Sequence, residues 1–263
     1  MYGNGTVVWI TGASSGIGEA LAYELSRQGC RMILSARRME QLQRVQQGCQ
    51  HPDRVTLLPM DLAEGTEMEG WVQQAWAANG TVDVLINNAG LSQRSLIRDT
   101  KMDVYETLMR VNYLGTVALS KALLPLFLKQ GHGHYVTVTS LMGKFGSPLR
   151  SGYCGAKHAL HGFFDVLRME HGADGLQVTM ICPGFVQTNV ARNALTADGS
   201  PQGQQDTATA GGMPVEVFAR KMWRAIRRGK WEVAIGGREV MGVYLKRFFP
   251  RLLHRVVLRS RVV

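Results

Sequence analysis

The sequence predicts one α/β domain, in which a doubly wound and mainly parallel sheet is covered by helices on both faces. Short apolar stretches rich in Val, Ile and Leu alternate along the chain with longer helical stretches. Such alternation implies parallel strands joined by right-handed crossovers. The short stretches are apolar at almost every position, which is typical of strands buried on both faces. At 263 residues the chain is long enough for one well-buried core.

Each element follows from its own pattern of residues. Strands are predicted at residues 6–10, 32–35, 55–59, 82–86, 134–139, 177–181 and 231–235. Helices are predicted at about 16–29, 38–47, 64–79, 102–129, 152–171 and 214–229. In the first helix Ile17, Leu21 and Leu25 form one apolar stripe. Residues 191–213 are rich in Gly, Gln, Ser, Thr and Ala and are predicted to form a long loop, a feature that is usually functional or disordered.

A glycine-rich turn joins the first predicted strand to the first helix. Its residues are Gly12, Ser14, Ser15, Gly16, Ile17 and Gly18. Glycine lets the backbone approach a pyrophosphate closely, and the helix N-terminus offers free N–H groups and positive partial charge. The turn therefore has the context of a Rossmann-type dinucleotide site. Its spacing differs from the common Gly-x-Gly-x-x-Gly, so by itself it is also compatible with a plain strand-to-helix connection.

The end of the second strand indicates which dinucleotide is bound. NAD sites usually carry Asp or Glu there for the ribose hydroxyl. This chain has Arg37 and Arg38 instead. A carboxylate would repel a 2′-phosphate, whereas a guanidinium can chelate it, so the sequence favours NADP(H) over NAD(H). The alternative, that both arginines only solvate a helix start, is disfavoured because cations at a helix N-terminus oppose its dipole.

Tyr153 and Lys157 lie four residues apart, on one face of the predicted helix 152–171. Hydride transfer to a ketone needs a proton for the developing alkoxide, and a tyrosine is a candidate donor. A nearby ammonium is expected to lower the pKa of the phenol, which suits it to act as the base in the reverse direction. Ser140 follows the strand 134–139, at the sheet edge where α/β proteins bind ligands, and its hydroxyl can donate to a substrate oxygen.

Taken in order, these motifs resemble those of the short-chain dehydrogenase/reductase family over nearly all of residues 5–235. The matching motifs are Thr11 to Gly18, Asp61-Leu62, Asn87-Asn88-Ala89-Gly90, Asn112, Ser140, Tyr153-x-x-x-Lys157 and Pro183-Gly184-x-Val186-x-Thr188. The stretch 150–170 and the basic end look most like the branch of dehydrogenase/reductase member 7-type proteins. The resemblance implies an oxidoreductase that interconverts a ketone or aldehyde and an alcohol with NADP(H).

The resemblance also implies a role for each matched residue. Asp61 and Leu62 hold the adenine; Asn88, Ala89 and Gly90 line the adenosine side; and Pro183, Gly184, Val186 and Thr188 hold the nicotinamide end. Asn112 fixes a water that relays protons to Lys157, and Lys157 also binds the nicotinamide ribose. Taken singly, these residues are also compatible with strand-end turns, a loop serine and a helix-surface asparagine.

A substrate-covering lid is expected at about residues 189–213, within a domain that spans 1–237. Candidate pocket walls are Phe145, Leu149, Phe185 and Val190, although each is equally compatible with an ordinary core position. Together they predict an apolar substrate such as a steroid, a lipid or a ketone. The alternative function is an NADP(H)-binding peripheral membrane or interaction module with little turnover.

The net charge of +10 is concentrated at the C-terminal end, where 13 Lys or Arg residues from Arg220 onward face only two acidic ones. Within the extension 238–263, Arg251, Arg255 and Arg259 repeat beside Leu and Val residues, which predicts a basic amphipathic helix after Pro250. Binding to a membrane surface and packing on the protein's own body or on a partner subunit are both compatible with it. Nucleic-acid binding is disfavoured because no recognised module accompanies the charge.

Cellular location and assembly follow from weaker signals. The four cysteines, Cys30, Cys49, Cys154 and Cys182, show neither metal-ligand nor disulfide spacing, so reduced thiols and no metal are expected. We see no uninterrupted apolar run long enough for a membrane span and no signal peptide, and therefore expect a cytoplasmic protein, with membrane association as an open alternative. The resemblance implies a homodimer or tetramer formed through the helices 102–129 and 152–171.

Overall fold

Seven strands form one sheet in the computed structural model, which describes residues 2–260. They are β1 (Val7–Thr11), β2 (Arg31–Ser35), β3 (Val55–Leu57), β4 (Val84–Asn87), β5 (Gly133–Val138), β6 (Leu176–Pro183) and β7 (Glu232–Ile235). All neighbours are parallel, in the order β3-β2-β1-β4-β5-β6-β7. The direction of winding reverses between β1 and β4, the point at which doubly wound sheets bind ligands. The predicted fold class is confirmed.

The helices lie close to their predicted positions. They are α1 (Gly16–Arg27), α2 (Met39–Gln47), α3 (Met68–Asn79), α4 (Met102–Met109), α5 (Gly115–Gln130), α6 (Ser151–His171), α7 (Thr207–Ala210), α8 (Val215–Arg227), α9 (Met241–Phe248) and α10 (Pro250–Arg259). One π-helical turn, Arg110–Leu114, joins α4 to α5. The short helix α7 lies inside the predicted loop 191–213. Met1 and residues 261–263, at the ends of the predicted domain and extension, lie outside the described residues.

The core consists of two apolar layers, one on each face of the sheet. Alternate residues of β1 supply both layers: Val8 and Ile10 face one side, whereas Val7 and Trp9 face the other. Helices α1, α2 and α8 cover the first face, and α3, α5 and α6 cover the second. Each large apolar side chain that is fully buried contributes about 1.5–3 kcal/mol, so these layers supply most of the driving force for folding.

The continuous helix Met102–Gln130 is long and apolar enough to cross a membrane, judged by length and composition alone. Its residues Leu119, Leu123 and Phe127 are fully buried against the sheet, so it serves as a core helix in this fold. Polar residues such as Asn112 and Lys121 interrupt its apolar run, and for that reason it does not stand out as a span in the sequence.

The two C-terminal helices, α9 and α10, pack with one face on the body of the protein. Leu253 is buried in a small cluster with Leu141, Phe145 and Cys182, next to the segment that follows β5. The opposite face of the helix pair is exposed. The inner face of the basic helix therefore packs on the protein's own body, which was one of the two alternatives. This packing does not explain the exposed apolar residues of its outer face.

Candidate active site

The residues expected to be catalytic meet at the carboxyl edge of the sheet. Lys157 Nζ lies 5.9 Å from the centroid of the Tyr153 ring and donates a hydrogen bond to the Val138 carbonyl at 2.9 Å. A Cβ atom on Gly90 would lie 2.9 Å from Asn112 Oδ1, too close for that side chain to stay in place, and 3.4 Å from Lys157 Nζ.

Asn112 is fully buried in the π-helical turn between α4 and α5. Its side chain clamps the backbone of Leu91: Leu91 N donates to Oδ1 at 2.7 Å, and Nδ2 donates to the Leu91 carbonyl at 2.9 Å. A π turn inserts one extra residue into a helix and often occurs at functional sites. Asn112 is therefore not the helix-surface residue that the sequence alone allowed.

The electrostatics of Tyr153 differ from the sequence expectation. Burial raises the pKa of the Tyr153 phenol, and a hydrogen bond with Ser140 only partly offsets this effect. Burial also lowers the pKa of Lys157 to about 8. The expectation of a lowered pKa for Tyr153 is therefore wrong for this structure, because desolvation outweighs the Ser140 hydrogen bond and the charges of Arg94 and Arg150. Tyr153 is a neutral phenol at neutral pH, the form that can donate a proton.

The glycine-rich turn after β1 is packed backbone to backbone against the turn after β4. Gly12 has a φ of +64°, and a Cβ atom there would lie 2.7 Å from Ala89 Cα. A Cβ atom on Gly18 would collide with the Gly12 carbonyl oxygen. Thr11, to which the sequence motifs assign no role of its own, accepts hydrogen bonds through Oγ1 from the backbone N–H groups of Asn88 and Ala89, both at 3.1 Å.

Two sets of arginines lie near this turn. Arg37 and Arg38 are exposed at the end of β2, and within the described chain neither side chain has a hydrogen-bond or ion-pair partner. Arg44 of α2 instead pairs with Glu19 at 2.6 Å and donates to the Ser14 carbonyl at 3.1 Å. Arg44 thus stabilises the glycine-rich turn. No local sequence pattern predicts this contact, because Arg44 lies about 30 residues after the turn.

The remaining predicted cofactor residues line the same edge. Asp61 is half-buried and accepts a hydrogen bond from Ala63 N at 3.0 Å, and Leu62 is buried against α5 at Gly115. Pro183 and Val186 are buried, whereas Gly184 and Thr188 are half-buried. A Cβ atom on Gly16 would lie 3.3 Å from the Thr188 side chain, which brings the loop after β6 up to the glycine-rich turn. The absence of side chains at Gly12, Gly16 and Gly18 leaves the backbone of the turn accessible, as a dinucleotide site requires.

The comparisons with known proteins agree with this geometry. A family model described as "short chain dehydrogenase" matches residues 6–199. The chain belongs to the short-chain dehydrogenase family. A Drosophila melanogaster relative, "dehydrogenase/reductase SDR family protein 7-like", is 39% identical over 264 residues, which cover 98% of this chain and 81% of the relative. The human "dehydrogenase/reductase SDR family member 7" is 46% identical over 198 residues, covering 73% and 58%. Both support the member 7-like branch.

A solved structure supports the fold. A short-chain dehydrogenase/reductase from Burkholderia phymatum, solved in complex with NAD, superposes with a TM-score of 0.84 at 22% identity and covers 100% of this chain and 98% of that one. Membership of the short-chain dehydrogenase family, shown by the family model and the relatives, makes this chain an oxidoreductase with a nicotinamide cofactor and a small-molecule substrate.

In this short-chain dehydrogenase the predicted lid is tied to residues 91–95, which we call the 91–95 segment. Arg94 N donates to the Leu195 carbonyl at 2.8 Å, and the Arg94 guanidinium pairs with the Asp206 carboxylate at 2.6 Å. Asp206 also begins α7 by accepting from Thr209 N at 2.7 Å. Nothing in the local sequence pattern of this segment indicates such long-range contacts, so it was not among the predicted site residues.

The predicted pocket walls have different environments. Phe145 is buried against Gly242 of α9, so it is part of the contact with the C-terminal helices. Val190 is exposed, and Phe185 is half-buried. Leu149 has a φ of +66° and accepts a hydrogen bond from Ser95 N at 3.1 Å. A non-glycine residue in this conformation is strained, and such strain is concentrated at functional sites.

One group of possible metal ligands occurs among residues 2–260: His161, Cys182 and Glu232. His161 Nε2 faces Cys182 Sγ at 3.9 Å, whereas Nδ1 faces Glu232 at 3.5 Å. A single ion cannot use both ring nitrogens, and Lys144 Nζ already lies 2.6 Å from the Glu232 carboxylate. The arrangement is therefore better described as an imidazole between a thiol and a carboxylate.

Proposed function

We propose that the protein is an NADP(H)-dependent oxidoreductase that interconverts a ketone or aldehyde and an alcohol, with Tyr153 as the general acid and base. The observation that carries the proposal is the convergence of Asn112, Ser140, Tyr153 and Lys157 at the carboxyl edge of the sheet, beside the glycine-rich turn. Two of these residues, Tyr153 and Lys157, have pKa values shifted by burial, which is typical of catalytic sites.

The nicotinamide, when bound, supplies or accepts the hydride at the substrate carbon. Ser140 donates to the substrate oxygen and orients it beside Tyr153. Because burial raises its pKa, Tyr153 is protonated at rest and donates its proton to the developing alkoxide. Lys157, held by the Val138 carbonyl, stabilises the resulting phenolate. In the oxidative direction the same groups act in reverse, with Tyr153 as the base.

The preference for NADP(H) rests on Arg37 and Arg38. Both side chains are exposed beside the end of β2, and they are free to reach a 2′-phosphate. No carboxylate occupies positions 35–38, where one would repel that phosphate.

Turnover of a ketone panel, graded from small diketones to steroids, tests the function. We expect Tyr153→Phe to bind NADPH normally and to lose NADPH oxidation. Tyr135→Phe is the matched control, because this buried tyrosine also loses its hydroxyl, which donates to the Ser120 carbonyl, without belonging to the proposed catalytic set. If Tyr153→Phe keeps more than about a tenth of wild-type turnover, the acid–base role is wrong, because such catalysis contributes about 10²–10⁴-fold.

A second candidate function is an NADP(H)-binding module at a membrane surface, and the outer face of α9 and α10 favours a membrane contact. Phe248 and Phe249 are 68% and 62% exposed, and Tyr244, Leu252 and Val256 are also exposed. Among them lie five cations and no acidic residue from Met241 to Ser260: Lys246, Arg247, Arg251, Arg255 and Arg259. Apolar anchors interleaved with cations suit an anionic lipid surface. A second copy of this face would instead bring like charges together.

Co-sedimentation with phosphatidylserine-containing vesicles tests the membrane contact. We expect the full chain to bind and the double variant Phe248→Ser, Phe249→Ser to lose binding. The matched control is Arg220→Ser with Arg224→Ser on α8, which is also basic but has no large exposed apolar residue among those described. Equal binding by the phenylalanine variant contradicts the contact. Vesicle binding without turnover of any ketone would favour the module over the enzyme.

Assembly and location stay proposals of the same kind. We propose a homodimer or tetramer built on α5 and α6, because Leu128 on α5, and Val166 and Met169 on α6, are exposed apolar side chains. Light scattering in solution tests it, with Met169→Glu as the disrupting variant. We also propose a cytoplasmic location.

A further inference from the structure

The catalytic tyrosine lies in the first turn of its helix, where a helix needs help from outside. Tyr153 is the third residue of α6, and the first N–H groups of a helix have no partner within it. The residue before the helix, Arg150, supplies no side-chain hydrogen bond to these groups. Without another acceptor, this turn would fray and the phenol would lose its fixed position.

Gln93 supplies that acceptor from a distant part of the chain. Its side chain is fully buried, and Oε1 accepts hydrogen bonds from Gly152 N at 2.8 Å and from Tyr153 N at 3.3 Å. A backbone N–H can only donate, so the side-chain oxygen must face the helix. Gln93 thus replaces the local cap that α6 lacks.

The other end of the Gln93 amide is held as well. Nε2 donates to Ser95 Oγ at 3.1 Å and lies within 3.4 Å of Thr100 Oγ1 and 3.5 Å of Ser151 Oγ. Gly152 leaves no space on its other side, because a Cβ atom there would lie 2.9 Å from Leu108 and Tyr105. The first turn of α6 is therefore fixed between α4 and Gln93.

The neighbours of Gln93 are tied to other parts of the same site. Leu91 is clamped on both backbone groups by Asn112. Arg94 is bonded to the predicted lid through Leu195 and Asp206. The 91–95 segment therefore contacts the Asn112 turn, the lid and the helix that carries Tyr153, with Gln93 at its centre.

We infer that Gln93 is a positioning residue: its amide sets the position of Tyr153 and couples it to the lid and to Asn112. The inference rests on the proposed function, since Tyr153 must be the acid–base group for its position to affect turnover. A displacement of about 1 Å at such a group can lower turnover about 100-fold. The expected signature is a loss of kcat with little change in NADPH binding.

The test compares Gln93→Leu with Gln93→Glu. Leucine removes the acceptor, so kcat should fall about 100-fold while the dissociation constant for NADPH stays near that of the wild type. Glutamate retains an oxygen for Gly152 and Tyr153, and a carboxylate is favourable at a helix N-terminus, so it should restore most of the turnover. The added negative charge should move the alkaline decline in turnover to higher pH, because it favours the charged form of Lys157 and opposes formation of the phenolate.

The matched control is Gln130→Leu. Gln130 likewise bonds backbone groups through its side chain, to the carbonyls of Val82 at 2.9 Å and His132 at 2.7 Å, at the end of α5 remote from Tyr153. We expect a similar loss of stability and an unchanged kcat. If Gln93→Leu does not fold, Gln93→Asn replaces it, since the shorter side chain withdraws the oxygen but stays polar.

The outcomes separate the two proposals. If the wild type shows no Tyr153-dependent turnover, the proposed function fails. Amide hydrogen exchange at Gly152 and Tyr153 then still tests whether Gln93 caps the helix. Unchanged protection of these two amides in Gln93→Leu overturns the capping role. If the wild type is active and Gln93→Leu keeps its kcat, the positioning role is wrong and the proposed function stands. Loss of kcat in both Gln93→Leu and Gln130→Leu also overturns the positioning role, because the loss would then follow from any disrupted side-chain hydrogen bond rather than from the position of Tyr153.

Discussion

The substitution Asp206→Asn tests whether a buried ion cluster holds the predicted lid. Asp206 Oδ2 lies 2.6 Å from Arg94 Nη2 and 3.7 Å from Arg150 Nη2. The Asp206 and Arg94 side chains are only 2% and 6% exposed. Burial and, to a smaller extent, the neighbouring Arg94 charge lower the pKa of Arg150 to about 10. The Asp206 carboxylate therefore lies near both guanidinium groups.

Loss of that carboxylate removes the ion-pair partner of the buried Arg94 guanidinium, which lies 2.6 Å away. Breaking a buried ion pair by removing one partner costs about 3–5 kcal/mol, so we expect the free energy of unfolding to fall by about that amount. Asparagine is as good an N-cap as aspartate, and the hydrogen bond that Asp206 accepts from Thr209 N can persist. The substitution therefore isolates the charge. Urea unfolding followed by tryptophan fluorescence measures the change.

The control is Asp198→Asn, in the same segment but at an exposed aspartate that bonds only Thr196 and Ser200. If Asp206→Asn destabilises the protein no more than this control, the ion-cluster reasoning is refuted.

The pH dependence of stability gives a second check on Asp206. Burial alone would raise the pKa of Asp206, but hydrogen bonds from Thr209 and Arg94 outweigh it and the pKa is lowered. The ionised Asp206 therefore adds its full contribution to the free energy of unfolding at any pH above about 3.9, the pKa of an aspartate in the unfolded chain. This contribution is lost as the pH falls through the lower pKa that Asp206 has in the folded protein. The free energy of unfolding should therefore differ between the wild type and Asp206→Asn by a constant amount near neutral pH. This difference should disappear only in strong acid.

Three further predictions concern the cofactor and the proton. Arg37→Asp should raise the dissociation constant for NADPH far more than that for NADH in fluorescence titrations; equal weakening would remove the phosphate argument. Gly18→Ala should abolish cofactor binding in calorimetry because its Cβ collides with the Gly12 carbonyl, whereas Gly155→Ala, whose Cβ meets open space, should bind normally. Ketone reduction should decline as the pH rises through about 8, where Lys157 loses its charge, and a flat profile of kcat/KM would contradict this.

Local patterns predicted most of the fold. Apolar periodicity located all seven strands, and the order of the motifs predicted which residues meet at the carboxyl edge. The largest boundary difference is at α3, which begins at Met68 rather than at 64 because a short 3₁₀ turn, Gly65–Glu67, precedes it. In β3 the strand ends at Leu57 rather than at 59.

Long-range features could not be predicted in this way. The bond from Gln93 to Gly152 joins residues 59 positions apart, and no local pattern indicates such a contact. The π turn at Arg110–Leu114 contains no residue type that distinguishes it from an ordinary helix. The raised pKa of Tyr153 depends on burial, which follows from the packing of several elements rather than from the spacing of Tyr153 and Lys157.

The extra residue in that π turn has a consequence for how this helix can change. Deleting one residue from 110–114 would relax the turn into a regular α-helix, with better hydrogen-bond geometry and a gain in local stability. The same deletion would rotate α4 by about 100° relative to α5, since an α-helix has about 3.6 residues per turn. Asn112 would then turn away from Leu91, or α4 away from Gly152. This helix therefore cannot become regular without disrupting the site. Selection for activity would act to keep the π turn at Arg110–Leu114.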